Sequence, residues 1–164
     1  MAFPFAIPED THVVLGQAPI VGAGAAFVGD YISVKYAHKV WCVVLYNQAD
    51  ANPITFGVNE ATAVLPAGAA AITATMPIWS NLACGTNDRW VRRANAATYA
   101  AAGAVAAHKM VVFEVDPAIL SAGFDCIALR SDTVIAAAQY VAYLYIIAPR
   151  YKGEVATTPS YIID

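Results

Sequence analysis

The chain has 164 residues, of which 59% are hydrophobic and only 13% are charged. Its formal net charge of −3 excludes a strong positive field that would attract nucleic acid or an anionic membrane. The length fits one domain with its own core. Globular domains usually carry about 25% charged residues, so we expect much of the apolar surface to be covered by copies of the chain or by a larger partner. The alternative is a compact monomer whose apolar excess is mostly alanine.

The cysteines and the ends of the chain favour a protein made in a reducing cytoplasm. Cys42, Cys84 and Cys126 are odd in number and widely spaced, which argues against a disulfide framework or a zinc site. Cys42 and Cys126 lie in apolar runs and are expected to be buried. Met1–Asp10 lacks a basic segment, so we do not expect a signal peptide. No apolar run reaches the roughly 18 residues that a membrane-spanning helix needs.

Three regions follow one another along the chain. Residues 1–29 are rich in proline and glycine and are predicted to form an extended arm and linker, with one short β-like run at Thr11–Leu15. Residues 30–149 are predicted to form the folded domain, and residues 150–164 a polar tail that turns apolar at its end. Strand patterns recur in the domain at 31–36, 39–47, 54–59, 78–79, 89–93, 109–115, 124–130 and 140–148.

Two segments of the domain decide its predicted class. Lys39–Asn47, KVWCVVLYN, is β-branched or aromatic almost throughout, which predicts a strand buried on both faces. Ala94–Ala107 is rich in alanine but lacks a wide apolar stripe, and Gly103 interrupts it, so we expect a loop or a short helical turn over the sheet. Seven or eight short strands without a βαβ rhythm predict an all-β fold, an antiparallel β-sandwich of jelly-roll-like form.

The sequence contains no pattern that indicates catalysis. The three histidines, His12, His38 and His108, lie at the edges of predicted strands, and no GxSxG turn is present. The acidic residues are scattered singly, several of them in turns. No His, Cys, Asp or Glu pair has metal-ligand spacing, and Gly22–Gly24 does not extend into a phosphate-binding loop. We therefore expect neither an enzyme nor a cofactor or metal site.

Aromatic side chains suggest a different class of function, carbohydrate binding. Trp41, Trp79 and Trp90 would form a sugar-binding surface if several of them were exposed on one sheet face. Trp41 lies in the strand predicted to be buried on both faces and is expected in the core. Aromatic residues are also common at protein interfaces, so a carbohydrate-binding β-sandwich module stays an alternative.

Several segments resemble one group of viral proteins. The first is AHKVWCVVLYNQADANPITF (Ala37–Phe56), followed by Ile78-Trp79. The second runs from HKMVVFEVDPAILSAGFDCIAL (His108–Leu129) to APRYKGEVATTPSYIID (Ala148–Asp164). Together they resemble small proteins that tailed double-stranded-DNA bacteriophages encode near the major capsid protein gene. These motifs are structural, so the resemblance carries over no active-site residues.

The resemblance implies a virion component, most specifically a capsid decoration (cement) protein. Such proteins are similar in size, often β-rich and commonly trimeric, and they bind the outside of the capsid shell at threefold positions. The implied partners are the major capsid protein and further copies of the chain in a homotrimer. The implied location is the capsid surface, after synthesis in the host cytoplasm. A tail, neck or head-fibre component is the alternative within the virion.

Both ends of the chain are candidate contacts with the capsid. An arm that is ordered on binding covers a wide surface. Deleting Met1–Asp10 or Tyr161–Asp164 is expected to weaken capsid binding while the domain still folds. The candidate interface residues are the aromatic and apolar side chains of the two ends: Phe3, Phe5, Tyr151, Tyr161, Ile162 and Ile163.

Overall fold

A computed structural model gives the fold. It describes residues 7–22, 24–48, 52–66, 68–101, 107–133, 135, 139–151 and 161–162. Within these residues the strands are β1 (His12–Val21), β2 (Ile32–Ser33), β3 (Ala37–Gln48), β4 (Ile54–Ala61), β5 (Ala70–Ala71), β6 (Met76–Asn81), β7 (Val91–Ala96), β8 (Thr98–Ala101), β9 (Ala107–Val115), β10 (Cys126–Ser131) and β11 (Tyr140–Pro149).

Helical structure in the described residues is limited to two short turns. One is α1 (Ile7–Asp10), which packs against β1. The other is a 3₁₀ turn at Pro117–Ile119, where the Asp116 side chain accepts a hydrogen bond from the Ala118 N–H at 2.9 Å. The described part of the chain contains no helix that is long and apolar enough to cross a membrane.

The strands form two antiparallel sheets. One has six strands in the order β1-β11-β3-β9-β6-β7, and the other has the order β2-β10-β4-β5, with β8 also paired to β4. Four pairings are nested along the chain: β1 with β11, β2 with β10, β3 with β9, and β4 with β8. A chain that wraps in this way is a jelly roll. The predicted all-β sandwich of jelly-roll type is therefore confirmed.

The predicted N-terminal arm is wrong over the ten residues of β1. This strand pairs with β11 along its length, with two shifts of register. The proline and glycine content of residues 1–29, which includes Gly16 and Pro19 of β1, predicted an arm. An edge strand tolerates both residues at such irregularities, because one side of its backbone needs no partner strand. The division into 1–29, 30–149 and 150–164 otherwise stays a prediction.

The loop or helical turn predicted at Ala94–Ala107 is also wrong where the structure describes it. The segment contains the end of β7 and all of β8, and β9 begins at its last residue; residues 102–106 lie outside the described part. β7 pairs with β6, and β8 pairs with β4. Pairing with these strands outweighs the helix propensity of alanine, which is a weak local preference.

The core lies between the two sheets. Phe113 of β9 and Phe56 of β4 are fully buried there. Cys42 and Cys126 are buried, as predicted, and burial raises the pKa of the Cys42 thiol well above its usual value. Cys84 is half-buried. Only this third cysteine therefore offers a thiol that a reagent can reach in the folded chain.

Tyr145 of β11 ties the two sheets together through its buried side chain. Its hydroxyl group accepts a hydrogen bond from the Leu129 N–H of β10 at 2.8 Å and donates one to the Asp30 carbonyl at 3.1 Å. The Asp30 N–H in turn donates to the Gly16 carbonyl of β1 at 2.8 Å. The ring of Tyr145 lies so close to Gly16 that a Cβ atom there would overlap it. One side chain thus fixes the edge strand and the opposite sheet.

Candidate interaction surface

The structure separates the predicted interface residues. Tyr151 is 77% exposed and Ile162 is 57% exposed, so both side chains are available to a partner. Tyr161 is only 5% exposed and belongs to the core cluster. Phe3, Phe5 and Ile163 lie outside the described residues.

Tyr161 is held by two strands of the domain. Its carbonyl accepts a hydrogen bond from the Ser33 N–H of β2 at 2.7 Å, and its ring centroid lies 4.9 Å from that of His12 on β1. Burial raises the pKa of its phenol. Deleting Tyr161–Asp164 is therefore expected to remove a packed side chain from the domain as well as any contact with a partner.

We expect Tyr161→Ala to lower the free energy of unfolding by roughly 2 kcal/mol, because a buried ring and its contacts are lost. The neighbouring change Ile162→Ala is the matched control and is expected to leave stability unchanged, since that side chain is mostly exposed. Urea unfolding followed by tryptophan fluorescence measures both. Equal stability of the Tyr161→Ala variant and the wild type would show that this docking contributes nothing.

The outward side of the six-stranded sheet is an extensive apolar surface. Along β3, the inward side chains of Val40, Cys42 and Val44 are fully buried. In the middle of the strand the alternating outward side chains, Trp41, Val43 and Leu45, are large, apolar and only half-buried or exposed. The apolar outward side chains of five strands form a surface that we call the outer apolar face. Its members are Val13, Leu15, Trp41, Val43, Leu45, Trp79, Met110, Val112, Ala142, Leu144 and Ile146.

Strand register aligns these side chains into continuous rows. Directly paired residues lie about 5 Å apart, so their side chains touch across strands. The central row crosses five strands. The three rows are Val13, Ile146 and Trp41; Leu15, Leu144, Val43, Val112 and Trp79; and Ala142, Leu45 and Met110.

The outward side of the other sheet is built differently. Its residues on β4 and β10 include Ala61, Cys126 and Ala128, which are small and fully buried. They form a separate cluster with Tyr31, and Val64 packs against it. The chain itself thus covers this part of the outward side. The large side chains of the outer apolar face belong to neither buried cluster.

The charged groups at the edge of the outer apolar face lie against partners within the chain, and Lys39 and Glu114 form an ion pair. Glu114 accepts hydrogen bonds from Lys39 Nζ at 2.7 Å and from Trp41 Nε1 at 3.0 Å. The Arg92 guanidinium lies 4.7 Å from the ring centroid of Trp79, a cation–π arrangement. An apolar centre with a polar edge is the usual anatomy of a protein interface.

Two depressions border the outer apolar face. One, of about 450 Å³, lies between Leu45, Met110 and Tyr140 and reaches Cys84. The other, of about 690 Å³, runs beside the free edge of β1, where Leu65 and Ile162 contribute to its wall. Leu65 is 84% exposed. Both are open, and the first is almost entirely apolar, which suits contact with another macromolecule.

The described residues give no metal site, and the contacts of their buried lysine account for its burial. They contain no group of three or more His, Cys, Asp or Glu side chains that could hold a metal ion. Lys109 of β9 is 1% exposed, but its Nζ donates a hydrogen bond to Gln48 Oε1 at 2.5 Å and lies 6.0 Å from the Tyr46 ring. Burial lowers the pKa of this lysine. The contacts give Lys109 a structural role at one end of the sandwich.

Sequence reasoning missed the outer apolar face. It interpreted Lys39–Asn47 as buried on both faces and placed Trp41 in the core. In the structure Trp41 is half-buried on the outward side. The available signal was that both alternating sets of residues in this strand are apolar, and β11 shows the same double pattern. Such a pattern indicates two covered faces, and here the chain covers only one.

Comparisons with known proteins add little. No family model matches the chain, and no curated protein matches it significantly. Among solved structures it is similar to the SPBc2 prophage-derived protein YomS, with 8% sequence identity and a TM-score of 0.46. The match covers 84% of this chain and 92% of that one. A likeness this distant says nothing about what the chain does.

Proposed function

We propose that this chain is a structural virion protein, a capsid decoration (cement) protein that binds the outside of the major capsid shell as a homotrimer. The outer apolar face carries the proposal, because such a surface is suited to burial in an assembly. The low charged share of 13% and the resemblance of the chain to phage virion proteins support the same role. In this role the protein needs no catalysis and no cofactor.

The proposed mechanism is mechanical. A shell that holds packaged DNA is pushed outward from inside. A protein that bridges neighbouring capsomers adds interface that must break before the shell opens. A rigid two-sheet domain suits such a bridge, because cross-sheet contacts such as those of Tyr145 resist shear between the sheets.

The test is to mix the purified chain with capsids assembled without it, then measure bound protein and the temperature at which the capsids release DNA. We expect saturable binding at the stoichiometry of the threefold positions and a higher release temperature. Wild-type protein that fails to bind capsids would overturn the proposal. Saturation at tail or neck stoichiometry would instead support the alternative of a tail, neck or head-fibre component.

Exposed side chains near the C-terminal end provide the variants for this assay. We expect Tyr151→Ala or Ile162→Ala to weaken capsid binding roughly tenfold if either anchors the interface. Val28→Ala is the matched control. Val28 is 43% exposed, and in the sequence it is far from Tyr151 and Ile162. Binding by both variants equal to that of the control would exclude these two residues as anchors.

The carbohydrate-binding alternative has one observation in its favour. Trp41 and Trp79 lie on the same outward side of one sheet, as a sugar-binding surface requires. However, the Arg92 guanidinium lies over the ring of Trp79, and Glu114 binds the indole N–H of Trp41. A glycan screen with the purified chain decides between the two functions, since a decoration protein of this kind needs no glycan ligand.

A further inference from the structure

We infer that the outer apolar face is the interface between copies of this chain, and that contacts with other virion proteins use other surfaces. The inference deepens the proposed function by naming the occupant of the face, but it rests on the geometry of the sheet and would hold for any assembly role.

The size of the face is one reason. The face has eleven outward side chains. Each covers about 4.8 Å across the strands and about 6.7 Å along them, so together they cover on the order of 350 Å² before the relief of the side chains is counted. The largest apolar patch on a typical monomer covers about 300–600 Å² and is often functional. Specific interfaces bury about 800 Å² on each partner, so this face would form the apolar centre of such an interface and the residues at its edge the rest.

The timing of burial identifies the occupant. A face of this size, left open on the newly folded chain, is an aggregation hazard. It must therefore be covered when the chain folds, before any capsid is met. Another copy of the chain is the partner always present at that moment. Interfaces formed so early and kept permanently are the more apolar ones.

The distribution of charged side chains fits a second copy of the chain as the partner that covers the face. A surface that meets copies of itself must not place like charges opposite one another. At the edge of this face Lys39 and Glu114 neutralise each other, and the three rows at its centre consist of apolar residues. A partner that bound through charge would require a charged group on the face without a partner in the chain itself. The described outward side chains of β3, β9 and β11 show no such group at the centre.

The test compares two variants that add one carboxylate each. Leu45 is 38% exposed within the face, and Val28 is 43% exposed outside it. We expect Leu45→Glu to raise the dissociation constant of the oligomer about a hundredfold or more, because the interface would bury an unpaired charge. Val28→Glu is expected to keep the wild-type mass. Light scattering coupled to size exclusion measures the mass, and circular dichroism confirms that both variants fold.

A thiol provides a second measurement on the same samples. Cys84 borders the depression in the face, whereas Cys42 and Cys126 are buried. We expect Cys84 to react slowly with a thiol reagent in the wild type and faster in Leu45→Glu. The other two cysteines should react only after unfolding. If Leu45→Glu fails to fold, the reaction rate of Cys84 can be measured in the wild type alone. Dilution that dissociates the oligomer is expected to raise this rate.

The outcomes separate this inference from the proposed function. A wild-type chain that is monomeric, or a folded Leu45→Glu variant with wild-type mass and thiol reactivity, would overturn the inference. A monomer that binds capsids would leave the decoration role standing and overturn the homotrimer. An oligomer that Leu45→Glu dissociates but that ignores capsids would support the inference and overturn the proposed function.

Discussion

Replacing Tyr145 by phenylalanine is expected to lower the free energy of unfolding by about 1–3 kcal/mol. The change removes only an oxygen atom. That oxygen accepts from the Leu129 N–H and donates to the Asp30 carbonyl inside the domain, so both backbone groups would lose a partner. A buried polar group without a partner costs more than an average hydrogen bond contributes.

Tyr46→Phe is the matched control. Tyr46 is 4% exposed, and its hydroxyl group has no hydrogen-bond partner among the described residues. Removing that oxygen is expected to leave stability unchanged or to raise it slightly, since a desolvated hydroxyl group is lost. Guanidinium unfolding of both variants gives the two differences. A loss for Tyr46→Phe as large as that for Tyr145→Phe would contradict the role assigned to the Tyr145 hydroxyl.

Gly16→Ala is expected to destabilise the fold by about 1–3 kcal/mol, the usual cost of overfilling a packed site. The added methyl group would overlap the ring of Tyr145, which is fixed by its two hydrogen bonds. Either β1 must move away from β11 or the ring must leave its position. The melting temperature and the hydrogen exchange of amides in β1 and β11 report these effects.

Gly85→Ala provides the comparison for this prediction. A Cβ atom at Gly85 would meet nothing within 4 Å, so we expect a neutral result. The pair also tests whether residues 12–21 belong to the sheet. If β1 were a free arm, Gly16→Ala would be as neutral as Gly85→Ala.

The sequence predicted the fold class well because strand patterns depend on burial between the two sheets. Val40, Cys42 and Val44 alternate with Trp41 and Val43, and the first set is fully buried between the sheets. Turn residues were equally informative. The Asp-Pro pair at residues 116–117 is typical of a turn, and the structure has a 3₁₀ turn there, with the Asp116 side chain capping it.

The N-terminal and alanine-rich segments could not be predicted from local pattern, because partners distant in sequence determine their structure. β1 is a strand because β11 lies beside it, more than a hundred residues later in the sequence. β8 is a strand because β4 pairs with it. The intrinsic conformational preferences of Pro19 and of the alanines contribute less free energy than pairing with these strands does.

The candidate interface could be predicted only in part, for a physical reason. Apolar residues on both sides of a strand indicate that both sides are covered, but not whether the cover belongs to the same molecule. Leu45 was therefore expected to be as buried as Val44, and the structure leaves it 38% exposed. Tyr161 shows the opposite error, because its aromatic character suggested a partner and its position is inside the domain.

The solution mass of the purified wild-type chain tests the central claim most directly. A single chain has a mass of 17.3 kDa. The account predicts a stable multiple of that mass, which persists on dilution and is lost in Leu45→Glu. Two copies are expected if the face meets itself across a twofold axis, and three for the proposed homotrimer, in which it would meet a different surface of the neighbouring copy. A species of 17.3 kDa at every concentration, with Cys84 freely reactive, would contradict the claim that the outer apolar face meets copies of the chain.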